Sequence, residues 1–299
     1  MILGYTQVMS ILILGAAGNL GGQLRLAFAD QKPVSWDRVD FDFLDFSELR
    51  QRLQALRPTI IINAAAYNAV DRCEQEKDEA TLAWSLNRDL PEALADYCLY
   101  SNALLIHYST DYVFGGDQRL SGAYKEIDHP SPLNVYGQSK YGGEQALARK
   151  ALKGLNYYLI RTSKLFGPPG ENPQAKPSFF DIMLSLAAKG GNIKAIDGEM
   201  SCFTYTPDLA LATRQLCEEQ AARGIYHLVN SGQATWYQGA QYLFQLAGIE
   251  ADLQAITPAE WPRPAVRPAF SVLANYRRRP LRSWQEALAD YLVILKNKA

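Results

Sequence analysis

The run Leu14-Gly15-Ala16-Ala17-Gly18-Asn19-Leu20-Gly21-Gly22 decides how the rest of the chain is read. It follows a compact apolar segment, Ser10–Leu14, and precedes helical spacing of Leu20, Leu24 and Phe28. Glycines between a strand and a helix permit a tight turn, close approach of the backbone to a pyrophosphate, and close packing of helix on strand. The helix N-terminus then offers unpaired amides and a positive dipole end to phosphate. The spacing is G-x-x-G-x-x-G rather than G-x-G-x-x-G, so on this stretch alone a purely structural turn stays open.

Outward from it, strand and helix patterns alternate. Val34–Trp36 reads as a short strand and Phe46–Leu56 as an amphipathic helix. Thr59–Ala66 (TIIINAAA) reads as a strand buried on both faces, as parallel sheets require. A helix is expected over Ala80–Tyr100, a strand over Ala103–Ser109, a helix over Val135–Leu152 and a strand over Tyr157–Thr162. This alternation predicts an α/β fold, a doubly wound parallel sheet with right-handed crossovers. Beyond Leu165 the texture changes. Phe166–Ser178 is too rich in Pro and Gly for regular structure. Shorter elements follow: helices Phe179–Lys189, Pro207–Gln220 and Trp236–Ala247, strands Asn192–Ile196 and Gly224–Val229, and a last helix Trp284–Leu295.

Composition narrows the function classes. Thirty basic against thirty-one acidic residues leave a net charge of -1, which gives no reason to expect nucleic acid. Cys73, Cys98, Cys202 and Cys217 lack C-x-x-C spacing and read as reduced thiols rather than metal ligands. The apolar N-terminal run is too short for a bilayer and has no signal-peptide form, so a cytoplasmic protein with no membrane association is expected. The first eight residues read as a ragged extension.

Asp37 follows the second strand where a carboxylate can accept both ribose hydroxyls of an adenosine, while the adjacent Arg38 could pair with a 2′-phosphate. NADH and NADPH therefore both stay open. Asp45 could reach the adenine or simply cap the helix that follows. The third strand ends in Asn63-Ala64-Ala65-Ala66-Tyr67, small residues that leave room for a ligand at the sheet edge. Tyr136-Gly137-Gln138-Ser139-Lys140 is Y-x-x-x-K, whose ends share one helix face. A lysine ammonium beside a tyrosine lowers its pKa, allowing it to exchange a proton with a carbonyl oxygen. The strand before it runs into Ser109-Thr110-Asp111, placing a hydroxyl at its carboxyl end. Glycine loop, strand-end hydroxyl and Y-x-x-x-K form an ordered set, and order with spacing points to proton transfer beside a bound dinucleotide where each piece alone is weak. The division expected is a Rossmann NAD(P)-binding domain over 1–163 and a mostly substrate-binding part over 164–299, interleaved with the last sheet strands at about 206–230.

On these motifs, and on LRPTIIINAAAYNAVDRCE, LLIHYSTDYVF, SPLNVYGQSKYGGE, LIRTSKLFG, GIYHLV and RPAFSVL, the chain resembles the dTDP-4-dehydrorhamnose reductase family along essentially its whole length. The resemblance implies an extended short-chain dehydrogenase fold and NAD(P)H-dependent reduction of a nucleotide-sugar 4-keto group, yielding dTDP-L-rhamnose. It implies Tyr136 as proton donor, Lys140 as its partner, and Thr110 with Asp111 at the sugar. Gly15, Gly18, Asn19 and Leu20 would wrap the pyrophosphate, and Asp37, Asp45, Phe46, Ala65, Ala66 and Tyr67 would line the rest of the cofactor. The departures fall on the substrate side. Lys164 stands where the family has tryptophan and could contact a phosphate or an acidic sugar. The loop at Gly167–Pro177 is long, and Ser201-Cys202-Phe203-Thr204 replaces G-x-P-T. Gln23 stands where a glutamate-built magnesium site would need a glutamate, so no metal ligands are assigned. Arg267 would contact a substrate diphosphate or close an ion pair, and His107 reads as core.

Two other readings compete. A cofactor-binding regulatory subunit, resembling the methionine adenosyltransferase β subunit, would be free to lose Thr110, Tyr136 and Lys140, which this chain keeps. An epimerase or dehydratase on the same scaffold would carry D-E after the threonine, whereas Tyr112 follows Asp111 here. The oligomeric state is left open, a homodimer being one option.

Overall fold

The computed structural model describes residues 10–172 and 175–297. The chain runs through β1 (Ile11–Leu14), α1 (Asn19–Ala27), β2 (Val34–Trp36), α2 (Phe46–Leu56), β3 (Ile60–Asn63), α3 (Val70–Gln75), α4 (Lys77–Trp84) and α5 (Leu90–Ser101). Then come β4 (Leu104–Thr110), α6 (Val135–Ala151), β5 (Tyr157–Thr162), β6 (Leu165–Phe166), α7 (Phe179–Lys189), β7 (Ile193–Ile196), β8 (Thr204–Tyr205) and α8 (Thr206–Glu218). The last elements are β9 (Gly224–His227), β10 (Asn230–Ser231), α9 (Trp236–Ala247), β11 (Leu253–Ile256), β12 (Leu281–Ser283) and α10 (Trp284–Lys296).

Six parallel strands form the central sheet in the order β2-β1-β3-β4-β5-β9. The inner strands β1, β3 and β4 are buried at every position, because helices cover both faces. On one face Ile11, Ile13, Ile60 and Ile62 meet Leu24 of α1 with Leu209 and Leu216 of α8. On the other, Leu12, Leu14 and Ile61 meet Leu49, Leu94 and Leu147 of α2, α5 and α6. The chain moves from β1 out to β2 and then returns past β1 to lay down β3. Strand order therefore reverses between β1 and β3, the place where doubly wound sheets open a crevice for ligands. The later elements pack around an aromatic core of Phe166, Phe180, Phe203, Trp284 and Tyr291.

The expected fold class holds, and several boundaries move. The strand expected over Thr59–Ala66 stops at Asn63; Ala64 N still donates to Leu14 O (3.0 Å), and Ala65 and Ala66 turn out along the cleft. The single helix expected over Ala80–Tyr100 is broken by a π-turn at Ser85–Asp89. Its cause is tertiary: the buried Asn87 side chain bonds the backbone N–H and C=O of Tyr67 (3.0 Å each) and donates to Ser139 Oγ (2.9 Å). A π-turn supplies the extra residue that turns Asn87 inward. The short parallel pairs β6–β8, β7–β11 and β10–β12 were not foreseen, since two- to four-residue strands carry almost no periodicity. The proposed ragged extension lies outside the described residues. No helix among the described residues is long and apolar enough to cross a membrane.

Candidate active site

The crevice at the β1/β3 reversal continues along the carboxyl ends of β4 and β5 as a cleft of about 920 Å³. Gly15, Gly18, Asn19, Leu20, Asp37, Arg38, Ala65, Ala66, Tyr67, Thr110, Tyr136, Lys140 and Lys164 all line it.

At its first end the glycine loop is shaped by contact. Gly15 has φ +73°, and a Cβ there would stand 2.7 Å from Ala65 N. A Cβ on Gly21 would stand 2.0 Å from Gly15 O, so only glycine lets α1 start this close to the turn. Gly18 caps α1 without a side-chain hydrogen bond, and no acidic residue occupies the first turn. The helix therefore leaves its first amides and dipole end to an anion, which fits a dinucleotide pyrophosphate. Asp37 Oδ2 accepts from Ala17 N (3.0 Å) and Oδ1 from Arg38 N (2.8 Å), which aims its carboxylate along the loop. Each oxygen keeps a lone pair for a ribose hydroxyl. The irregular segment after β6 folds back over this loop: Asn19 Oδ1 accepts from Gly170 N (2.8 Å), and Asn19 Nδ2 donates to Lys176 O (2.9 Å).

In the middle of the cleft the backbone of β4 meets α6. Lys140 Nζ donates to Tyr108 O at 2.5 Å. Burial pushes its ammonium down to about 8, against the raising effect of the Glu144 carboxylate. Burial pushes the Tyr136 phenol above its ordinary value, as does Asp111, while a hydrogen bond with Thr110 works the other way. The expected depression by Lys140 is absent because the lysine is turned to the Tyr108 carbonyl. At neutral pH Tyr136 thus holds its proton, the state a proton donor needs. Asp111 is buried and is not among the residues that line the cleft, accepting from Ser271 Oγ (2.6 Å) and from the cleft residue Thr110 Oγ1 (3.2 Å). Burial raises its pKa despite these bonds. His107 is core, with Nδ1 3.2 Å from Asn63 Nδ2.

Four residues expected at cofactor or substrate make other contacts. Asp45 is the N-cap of α2, accepting from Ser47 N and Glu48 N (3.0 Å each), and Phe43 lines the cleft where Phe46 was expected. Phe46 packs against the core beside the sheet. Arg267 pairs with Asp71 from α3 and donates to Ala265 O (2.7 Å), the ion-pair alternative. Lys164 reaches the cleft wall, yet its Nζ is taken up by Glu199 O and Ala234 O (3.2 Å each) and lies 4.1 Å from the Trp236 ring centroid. Burial lowers it to about 8, opposed by Asp111 and Glu199. Sequence reasoning missed Trp236 and Phe179, whose rings stand 4.7 Å apart in the same wall. Both open helices behind capping boxes and read as packing residues. Among the described residues no group of three His, Cys, Asp or Glu is placed to hold a metal.

Comparison with known proteins agrees with this geometry. The family model described as RmlD substrate binding domain matches residues 9–297. A probable dTDP-4,6-dihydroxy-2-methyloxan-3-one 4-ketoreductase of Streptomyces antibioticus is 39% identical over 294 residues, 94% of each chain. The dTDP-4-dehydrorhamnose reductase of Escherichia coli is 35% identical over 280 residues, 89% of each. The crystal structure of the Bacillus anthracis dTDP-4-dehydrorhamnose reductase in complex with NADP superimposes with a TM-score of 0.87 at 30% identity, covering 96% of this chain and 99% of that one. A Thermus thermophilus UDP-glucose 4-epimerase, at 18% identity and TM-score 0.80, shares the fold. The chain accordingly belongs to the RmlD family of extended short-chain dehydrogenases, the family of the dTDP-4-dehydrorhamnose reductases.

Proposed function

We propose that the chain reduces the 4-keto group of dTDP-4-dehydrorhamnose, with NADPH or NADH as reductant, to give dTDP-L-rhamnose. The observation that carries this reading is Thr110, Tyr136 and Lys140 lining one cleft with an uncapped glycine-loop helix N-terminus. The nicotinamide, when bound, supplies the hydride. Tyr136 gives its proton to the oxygen that becomes the new hydroxyl, and Thr110 orients the phenol. Lys140, in the same cleft, is the cation that offsets the phenolate left behind once its ammonium turns from the Tyr108 carbonyl toward Tyr136. Four free cysteines, three of them buried, fit a reducing, cytoplasmic setting.

Purified protein should oxidise NADPH or NADH in the presence of dTDP-4-dehydrorhamnose and produce dTDP-L-rhamnose by mass and NMR. Cofactor binding without turnover of any nucleotide 4-keto sugar would favour the regulatory-subunit reading instead. A substrate lacking one ring hydroxyl belongs in the same assay, because the Streptomyces antibioticus relative is named for such a sugar. Since burial lowers Lys140 to about 8, its charge is present below that pH and lost above it. The kcat profile should therefore fall on a basic limb near pH 8, and a flat profile to pH 10 would remove Lys140 from the chemistry.

Arg38 sets cofactor choice in this reading. Its guanidinium stands at the mouth of the cleft, 3.3 Å from Asn172 Oδ1 and next to Asp37. An Arg38→Ala change should raise the KM for NADPH by about tenfold and leave NADH within about twofold, the value of one charge-assisted phosphate contact. Equal effects on both cofactors would place the 2′-phosphate elsewhere.

A further inference from the structure

Three consecutive residues of β4 engage three residues of α6 that lie one turn apart. Tyr108 accepts from Lys140 through its carbonyl (2.5 Å), Ser109 Oγ donates to Glu144 Oε1 (2.6 Å), and Thr110 lines the cleft with Tyr136, near enough to hold the phenol's pKa down. Positions 136, 140 and 144 follow each other at i, i+4 and i+8 on one helix face. Two of these contacts belong to the reacting set. The third does not touch the cleft on its helix side. Glu144 is 4% exposed and Arg161, from β5, is 2% exposed. Arg161 holds Glu144 through Nε (2.9 Å) and Nη2 (2.7 Å), and its Nη1 donates to Glu126 O (3.3 Å). Its guanidinium also stacks 5.0 Å from the Phe114 ring centroid.

Resting on the reductase reading above, we propose that Glu144 is a positioning residue for the reaction. Through Ser109 it fixes the register of the β4 carboxyl end against α6, and through Arg161 it ties both to β5. Thr110 sits one residue beyond Ser109, so any slip of that bond is passed directly to the Thr110–Tyr136 contact. Glu144 also stands one turn beyond Lys140 and supports its charge. Lys140 is faced by Glu144 on its own helix and by His107 from β4, with Arg161 of β5 behind Glu144; Tyr136 lies one turn before it on α6, with Cys73 of α3 near the phenol.

Two variants separate this from a purely structural ion pair. Ser109→Ala leaves the Glu144–Arg161 pair in place and removes only the bond beside Thr110. Its kcat should fall roughly tenfold, with both KM values within about twofold, an unshifted pH profile and a little-changed melting temperature, the scale of a sub-ångström misplacement. Glu144→Gln keeps the side-chain shape and removes the charge. Without that carboxylate the Lys140 ammonium is less supported, so the basic limb of kcat should move to lower pH by on the order of half a pH unit. Wild-type kcat per folded molecule in Ser109→Ala overturns the proposal, as does a folded Glu144→Gln with an unmoved limb. If Glu144→Gln does not fold, Ser109→Ala decides alone. A wild-type chain with no turnover overturns the reductase reading itself and this inference with it, whereas active wild type with unaffected variants overturns the inference only.

Discussion

A Tyr136→Phe variant is expected to fold, bind its dinucleotide and lose about a thousandfold in kcat, the middle of the range for removing a positioned general acid. The ring would stay where it is: it packs edge-on to Tyr112 at 6.0 Å, a contact phenylalanine preserves. What disappears is the proton. The Asp111 carboxylate does not replace it, because it is buried, does not line the cleft and is engaged by Ser271 and Thr110. Thr110 can align an oxygen but gives up its proton far too reluctantly at neutral pH. Stopped-flow NADPH oxidation, with dinucleotide affinity measured by fluorescence titration, checks both halves of the expectation. A kcat within about threefold of wild type would assign proton donation to another group.

The largest effect on stability is expected from Arg161→Leu. Among the described residues this change leaves the buried Glu144 carboxylate with Ser109 Oγ as its hydrogen-bond partner and without its bidentate cation, and breaking a buried pair from one side costs about 3–5 kcal/mol. Urea unfolding monitored by circular dichroism should show the midpoint shifted accordingly at unchanged slope. Adding Glu144→Met to Arg161→Leu should recover much of the loss, since two apolar side chains of similar volume leave no unpaired charge. A loss below about 1 kcal/mol would make this pair equivalent to those on the surface, such as Arg52 with Glu48. The same double variant, if stable but slow, would separate the stabilising and positioning roles of the pair.

The first half of the chain was legible because its signals are local. A strand buried on both faces reads as an unbroken apolar run, and the starts of β3 (Ile60-Ile61-Ile62) and β4 (Leu104-Leu105-Ile106) do so. The glycine loop, Thr110, Tyr136 and Lys140 were found by order and spacing, and all of them meet in one cleft. Of the two ambiguous residues, Arg267 is settled by Asp71, 196 residues away, whereas Asp45 caps its own helix through Ser47 and Glu48. The expected depression of the tyrosine failed for a similar reason. Helical spacing places Lys140 on the right face but cannot say that its ammonium turns to the Tyr108 carbonyl. The break at Ser85–Asp89 depends on Asn87 reaching Tyr67 and Ser139, 20 and 52 residues away. Ser109, Glu144 and Arg161 carry no spacing signal at all, because three separate elements contribute one residue each.

The place of β9 at the sheet edge bears on how the protein is made. Its partner β5 ends at Thr162, while β9 begins at Gly224, with α7, β7 and α8 synthesised in between. Leu209, Leu216 and Tyr226 complete the hydrophobic layer begun by Ile11 and Leu24. A nascent chain therefore carries an open sheet edge and an uncovered apolar face through the translation of some sixty residues, roughly 3–12 s at typical elongation rates. Such a chain folds late and as one unit. Fragments split near residue 163 should need each other during synthesis, and chaperone demand should peak before residue 227 leaves the ribosome.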